Sequence, residues 1–159
     1  MSSALLFNLA NAYILPFWLI MILLPNRNFT KKVMNSYFFV VPLIGIYLYY
    51  LIFTVDPEAA ATLANPQLSD IANFFAIEGA AGAGWTHFLA MDLFVGRWIY
   101  WQGQSKQIWT AHSLILCLFF GPVGLLSHII TAAIFDKNDD DGSSPDSKKA
   151  EDVAPAPAS

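Results

Sequence analysis

The sequence predicts an all-α protein, an integral membrane four-helix bundle with a short interfacial helix between spans two and three and a disordered acidic C-terminal tail. Three observations carry that expectation. Hydrophobic residues make up 56% of the 159 residues and charged ones only 13%, against roughly 25% charged in a soluble domain. Mean hydropathy is positive. Four apolar runs, about 3–24, 37–54, 79–101 and 109–135, approach the roughly 20 residues that cross a hydrocarbon core of about 30 Å at 1.5 Å per residue. Residues 1–135 then form one transmembrane domain, and 136–159 the tail.

The first run, from Ser3 to Leu24, carries no charge. It lacks the basic n-region of a signal peptide and is too long for an h-region, so it is read as retained. Asn8, Asn11 and Pro16 interrupt it. The asparagines suit hydrogen bonding between helices or the lining of a pocket, and Pro16 frees the carbonyl of Ala12. Pro25 to Ser36 carries Arg27, Lys31 and Lys32 and no acid, as loops on the positive side of a membrane do. The second run, Tyr37 to Thr54, holds Pro42 and Gly45 and ends in Tyr47, Tyr49 and Tyr50, residues suited to an interfacial belt or to a ring-lined groove.

Val55 to Glu78 contains Asp56, Glu58, Asp70 and Glu78 and no base, which places it on the opposite side. Within it Ser69 or Asp70 can cap a short helix reaching Ile77, with Ile71, Phe74 and Phe75 on one apolar stripe. The third run opens with Gly79, Gly82 and Gly84, small residues that permit close helix approach and are compatible with a homo-oligomer. The fourth, Trp109 to Phe135, carries His112, His128 and a Gly121-Pro122 break. Acids concentrate after Asp136, so the net charge of -4 describes a tail and not a binding face. No basic patch exists to bind nucleic acid. The single Cys117 cannot form an internal disulfide. Counting loop charges gives four crossings with both termini opposite the positive side.

The third run contains the chemistry. In GWTHFLAMDLFVGRWI, Gly84 to Ile99, a histidine, an aspartate and an arginine interrupt an apolar span. A carboxylate near a span centre costs about 2.5–3.5 kcal/mol on insertion scales, and intramembrane acids commonly handle protons, ions or substrate. His87, Asp92 and Arg97 are each five residues apart, roughly 140° round a helix, so none pairs with another through an i,i+4 contact. Asp92 must therefore find another helix or remain protonated. Counting rise per residue places Asp92 roughly 3 Å to the positive side of the midplane, level with Phe120 and Gly121 and with Pro16. His87 falls roughly 4 to 5 Å to the other side near Asn11, with His128 about 9 Å out. One polar layer is thereby expected to hold His87, Asn11 and His128, with Trp85 on the Asp92 face. Arg97 snorkels toward the positive boundary. Three scattered histidines are too few for a membrane di-iron site, and the heights of His87 and His128 disfavour a shared haem. No metal or cofactor is expected.

NLANAYILPFWLIMILLPNRNFT (Asn8 to Thr30), GWTHFLAMDLFVGRWI and GPVGLLSH (Gly121 to His128) together resemble the abscisic acid deficient four family of small four-span proteins of chloroplasts and bacteria. The resemblance covers roughly Asn8 to His128. It implies carotenoid (xanthophyll) metabolism, since plant members are required to form neoxanthin from violaxanthin, a redox-neutral isomerisation of an epoxide to an allenic alcohol. That chemistry wants an acid at the epoxide oxygen and a base at a neighbouring carbon. His87 and Asp92 match the family string and take the catalytic roles, with Asn11, Trp85, Arg97 and His128 binding the ligand. A carotenoid or other long apolar lipid is the implied partner, and the setting is a multi-pass membrane protein of a bacterial plasma or thylakoid membrane or of a plastid. The alternative is a non-catalytic pigment- or lipid-binding membrane subunit.

Overall fold

The computed structural model describes residues 2–142, with side chains through Asp136. Among the described residues all regular structure is helical. The elements are α1 (Ser3–Leu23), α2 (Asn28–Asn35), α3 (Val41–Phe53), α4 (Pro57–Ala61), a 3-10 turn (Thr62–Ala64), α5 (Leu68–Phe75), α6 (Glu78–Lys106), α7 (Ala111–Phe119) and α8 (Gly121–Gly142). Most of the tail expected to be disordered, residues 143–159, lies outside the described residues, and α8 carries helix past Phe135 to Gly142.

α6 is the hub. Its 29 residues span about 43 Å, and α1, α3, α5, α7 and α8 all pack on it. α1 runs parallel to it, as the pairings of Asn11 with Trp85 and of Pro25 with Tyr100 show. α3 runs antiparallel, with Tyr47 beside His87 and Tyr50 against Gly82. Missing side chains make this proximity possible: a Cβ at Gly96 would stand 2.5 Å from the Trp18 ring, and one at Gly79 2.5 Å from Thr54 Oγ1. The close helix approach expected of Gly79, Gly82 and Gly84 is thus met within the chain.

The connections hold more helix than expected. Pro25 to Ser36, read as a loop, contains α2, anchored by buried Thr30, whose hydroxyl donates to the Leu24 carbonyl (2.7 Å), and by buried Met34. The short helix expected between the second and third runs is present as α5. Gln67 caps it, and Asp70 occupies the third position of a capping box, accepting from the Gln67 N–H at 3.0 Å. Phe75 fills the space left by Gly84, so α5 packs on α6 rather than standing off it.

The largest departure concerns the fourth run. Residues expected to form one crossing instead fold back as an antiparallel pair, α7 and α8. His112 meets Thr131 (3.0 Å), Ser113 meets Ser127 (3.2 Å), and a Cβ at Gly124 would overlap the Cys117 backbone. Phe120 is the corner. Its N–H donates to Leu116 O (2.7 Å), closing α7, while its carbonyl accepts from Val123 N (2.8 Å) and Gly124 N (3.1 Å), opening α8. Pro122 lies in the first turn, where a missing donor costs nothing. The Lys106–Asp136 ion pair (2.7 Å) brings α8 back to the level where α6 ends. Among the described residues, the fourth run thus does not form one continuous helix from end to end, and Ser3 and Asp136 lie at opposite ends of the bundle rather than on one side as expected.

Among the described residues α1 is the one helix long and apolar enough by itself to cross a bilayer, and α3 with the segment to Ala64 joins it only as a pair bent by 103°. The outer surface is nonetheless apolar. Leu9, Leu15 and Leu19 of α1, Phe88, Met91 and Phe94 of α6, and Leu126, Ile130 and Ile134 of α8 are all exposed.

Candidate functional site

Asp92 sits at mid-height on the face of α6 that meets the α7–α8 corner. A Cβ at Gly121 would overlap its carboxyl group, so the carboxyl packs directly on the start of α8. Cys117 Sγ, 3.6 Å from the Asp92 carbonyl, ties α7 to the same turn of α6. The expected level of Asp92 with Phe120 and Gly121 is what the fold displays, although the chain turns there instead of passing through.

Two turns toward the N-terminal end of α6, about 10 Å away along the same face, Trp85 donates its indole N–H to Asn11 Oδ1 (3.0 Å). Asn11 in turn donates to the Phe7 carbonyl (2.8 Å), and the Phe7 and Trp85 rings stand 5.9 Å apart. This trio fixes the α1–α6 seam. Alongside it opens a cavity of about 380 Å³ lined by Phe7, Tyr50, Glu78, Ala81, Gly82 and Trp85. α7 and α8 reach only to Asp92, so neither of them covers the seam from there to Ser3.

His87 is elsewhere. It is exposed on the α3 side of α6, with its ring 5.7 Å from Tyr47 and 6.2 Å from Phe88. Asp92 faces α7 and α8, so the structure does not bring the two expected catalytic residues together, and the 140° between them on one helix is the reason. The expected polar layer is likewise not assembled. Asn11 bonds Trp85 and not His87, and His128, carried upward by the return of α8, is buried with its ring 5.4 Å from Trp98. Arg97 is committed to structure: its Nε donates to the Met34 carbonyl, which also receives the Trp101 N–H (3.3 Å), and its guanidinium lies 4.4 Å over the Tyr37 ring. That clamp holds the C-terminal end of α2 against α6, replacing the snorkelling expected from sequence.

Sequence reading missed the polar interior of the helical pair. Thr131 donates its hydroxyl hydrogen to Ser127 O (2.8 Å), so it must accept from His112 Nε2–H, which leaves His112 Nδ1 a buried acceptor without a partner. Among the described residues His128 Nδ1 is likewise buried without a hydrogen-bond partner. The signal was available: Ser113 with Ser127 and His112 with Thr131 are placed almost symmetrically about Phe120, as facing positions of a fold-back must be. Among the described residues no group of three or more His, Cys, Asp or Glu gathers as metal ligands.

Comparison with known proteins bears on what this arrangement serves. No solved structure matches the chain. It is 38% identical over 133 residues to Protein ABA DEFICIENT 4, chloroplastic, of Arabidopsis thaliana, a stretch that covers 80% of this chain and 60% of that protein. The chain thus spans about 60% of the relative's length. Residues 5–128 match the model of the ABA DEFICIENT 4-like family, and the chain belongs to that family.

Proposed function

We propose that this chain is an integral membrane protein of xanthophyll metabolism that holds a long polyene along the α1–α6 seam and isomerises an end-group epoxide at Asp92. The carrying observation is the half-height α7–α8 pair. It leaves an apolar seam open below a carboxyl that, among the described residues, belongs to no ion pair. Family membership and the plant relative support the metabolic assignment. The apolar exterior supports the membrane setting, because soluble monomers rarely expose contiguous apolar patches beyond a few hundred Å². In this reading α1, α3 and α6 cross a bacterial or plastid membrane, and α7–α8 enters from the positive side and returns.

A single carboxyl suffices for an epoxide-to-allenic-alcohol isomerisation. In its acid form one oxygen gives its proton to the epoxide oxygen as the C–O bond breaks. The C–H bond on the adjacent polyene carbon breaks at the same time. Its electron pair forms the new cumulated double bond, and its proton passes to the other carboxyl oxygen, restoring the acid. No electron enters or leaves, and no charge is created in a site of low dielectric. Positioned proton transfer of this kind contributes about 10²–10⁴-fold. His87 has no part in it.

One observation favours a second reading, a pigment-holding subunit without chemistry: the separation of His87 from Asp92 removes the two-residue acid–base pair. Asp92→Asn decides between them, since it preserves volume while abolishing the transferable proton. Expressed in a deletion strain or reconstituted with an epoxy-xanthophyll, Asp92→Asn should accumulate normally and lose about 10²–10⁴-fold in turnover, while His87→Gln stays near wild type. An Asp92→Asn protein that restores the pigment profile would refute the catalytic reading.

A further inference from the structure

A second groove lies at the other end of the bundle, on a different face of α1 from the seam. It measures about 420 Å³, and Tyr13, Phe17, Phe29, Phe38 and Phe39 line it with Lys32 at its edge. The rings form a continuous wall: Tyr13 meets Phe17 edge-on at 5.1 Å, and Phe17 stands 5.7 Å from Phe39. Phe29 and Phe38 are 65% and 75% exposed, so the slot opens sideways rather than inward.

The charge at the mouth is uncompensated. Among the described residues the one salt bridge is Lys106–Asp136, so Lys32 has no acidic partner. No acid occurs between Met1 and Val55, whereas Arg27, Lys31 and Lys32 cluster within that stretch. Ser36, which also lines the groove, accepts the Phe38 N–H through its Oγ at 3.0 Å and keeps its own hydroxyl hydrogen to donate. An aromatic slot ending in an ammonium and a hydroxyl donor matches an amphiphile with an apolar chain and an anionic head. A neutral polyene would leave the ammonium unused.

We propose that the groove between α1, α2 and the start of α3 binds one anionic phospholipid, its phosphate at Lys32 and Ser36 and an acyl chain against Tyr13 and Phe17. The site rests on the membrane reading above. It also accounts for α2, which holds a lipid head at the positive-side interface while Arg97 clamps its C-terminal end to α6.

Native mass spectrometry of the full chain in a neutral detergent, titrated with dioleoylphosphatidylglycerol or dioleoylphosphatidylcholine, tests the proposal. One phosphatidylglycerol should be retained per chain, with phosphatidylcholine at least about tenfold weaker. Lys32→Gln should abolish the preference, whereas Lys31→Gln, the same charge change outside the groove lining, should keep it. Phe38→Ser should weaken both lipids. Equal retention of the two lipids by wild type, or equal losses for both lysine variants, overturns the site and leaves only general surface attraction. A chain that leaves the membrane in alkaline carbonate and stays monodisperse without detergent would instead refute the membrane reading itself.

Discussion

Gly124→Ala separates a fold-back from a continuous fourth helix by the sign of its effect. In a straight helix the change removes an interior glycine and should stabilise by about 1 kcal/mol. In the structure the added methyl meets the Cys117 backbone N and Cα, well inside the roughly 3.5–4.0 Å of ordinary contact. Backbone cannot swing aside as a side-chain tip does, so α7 and α8 must part. Overpacking costs about 1–3 kcal/mol, and a clash with backbone takes the upper part of that range, about 2–3 kcal/mol, so after the propensity gain of about 1 kcal/mol the net loss should be about 1–2 kcal/mol. For a chain of this size that lowers Tm by about 2–8 °C, measured by thermal or denaturant unfolding of purified protein in detergent. Gly45→Ala is the control: nothing lies within 4 Å of its Cβ, so it should raise Tm slightly. A Gly124→Ala protein that melts at or above wild type, alongside Gly45→Ala, would refute the fold-back.

Two further outcomes follow from the same geometry. In a Cys117→Ser background, cysteines placed at Asn28 and Asp136 should react with an impermeant thiol reagent from one face of the membrane and a cysteine at Ser2 from the other; Ser2 and Asp136 labelled from the same face would restore four crossings. Tyr50→Phe removes the 2.6 Å hydrogen bond from the phenol to the Ser3 carbonyl and should cost about 0.5–1.5 kcal/mol, seen as lower resistance to denaturant, with wild-type resistance counting against that tether.

The long helices of the first three apolar runs were legible from the sequence because run length reports them directly, whereas α2 and α4, short and not apolar throughout, were not. α1 begins at the expected Ser3 and ends one residue early at Leu23, continuing through Pro16. The depth of Asp92 relative to Phe120 was legible too, since rise per residue is fixed. Direction was not. Gly121-Pro122 reads equally as a kink and as a corner, and the pairings of Ser113 with Ser127, His112 with Thr131 and Gly124 with Cys117 distinguish them. That one ambiguity moved His128 from one end of the bundle toward the other and reversed the side on which α8 ends. For His87 and Asp92 the family resemblance implied a shared catalytic role, but the roughly 140° between them, already legible in their spacing, sends one to Tyr47 and the other to Gly121.

In the membrane reading proposed above, the corner also accounts for a carboxyl at mid-height. Non-helical backbone inside a bilayer persists only where protein buries it or where it lines a cavity, and a helix N-terminus carries partial positive charge on its free N–H groups. α8 begins at mid-height, and Asp92 packs on its first residue. The acid and the helix start therefore offset each other's cost: negative density meets the positive end of α8, and the α6 surface shields the Phe120 corner. An asparagine at 92 keeps its carbonyl oxygen for that role and fills the same space against Gly121. It alters the transferable proton and leaves the packing intact, so a functional loss in Asp92→Asn reports on chemistry rather than on the fold.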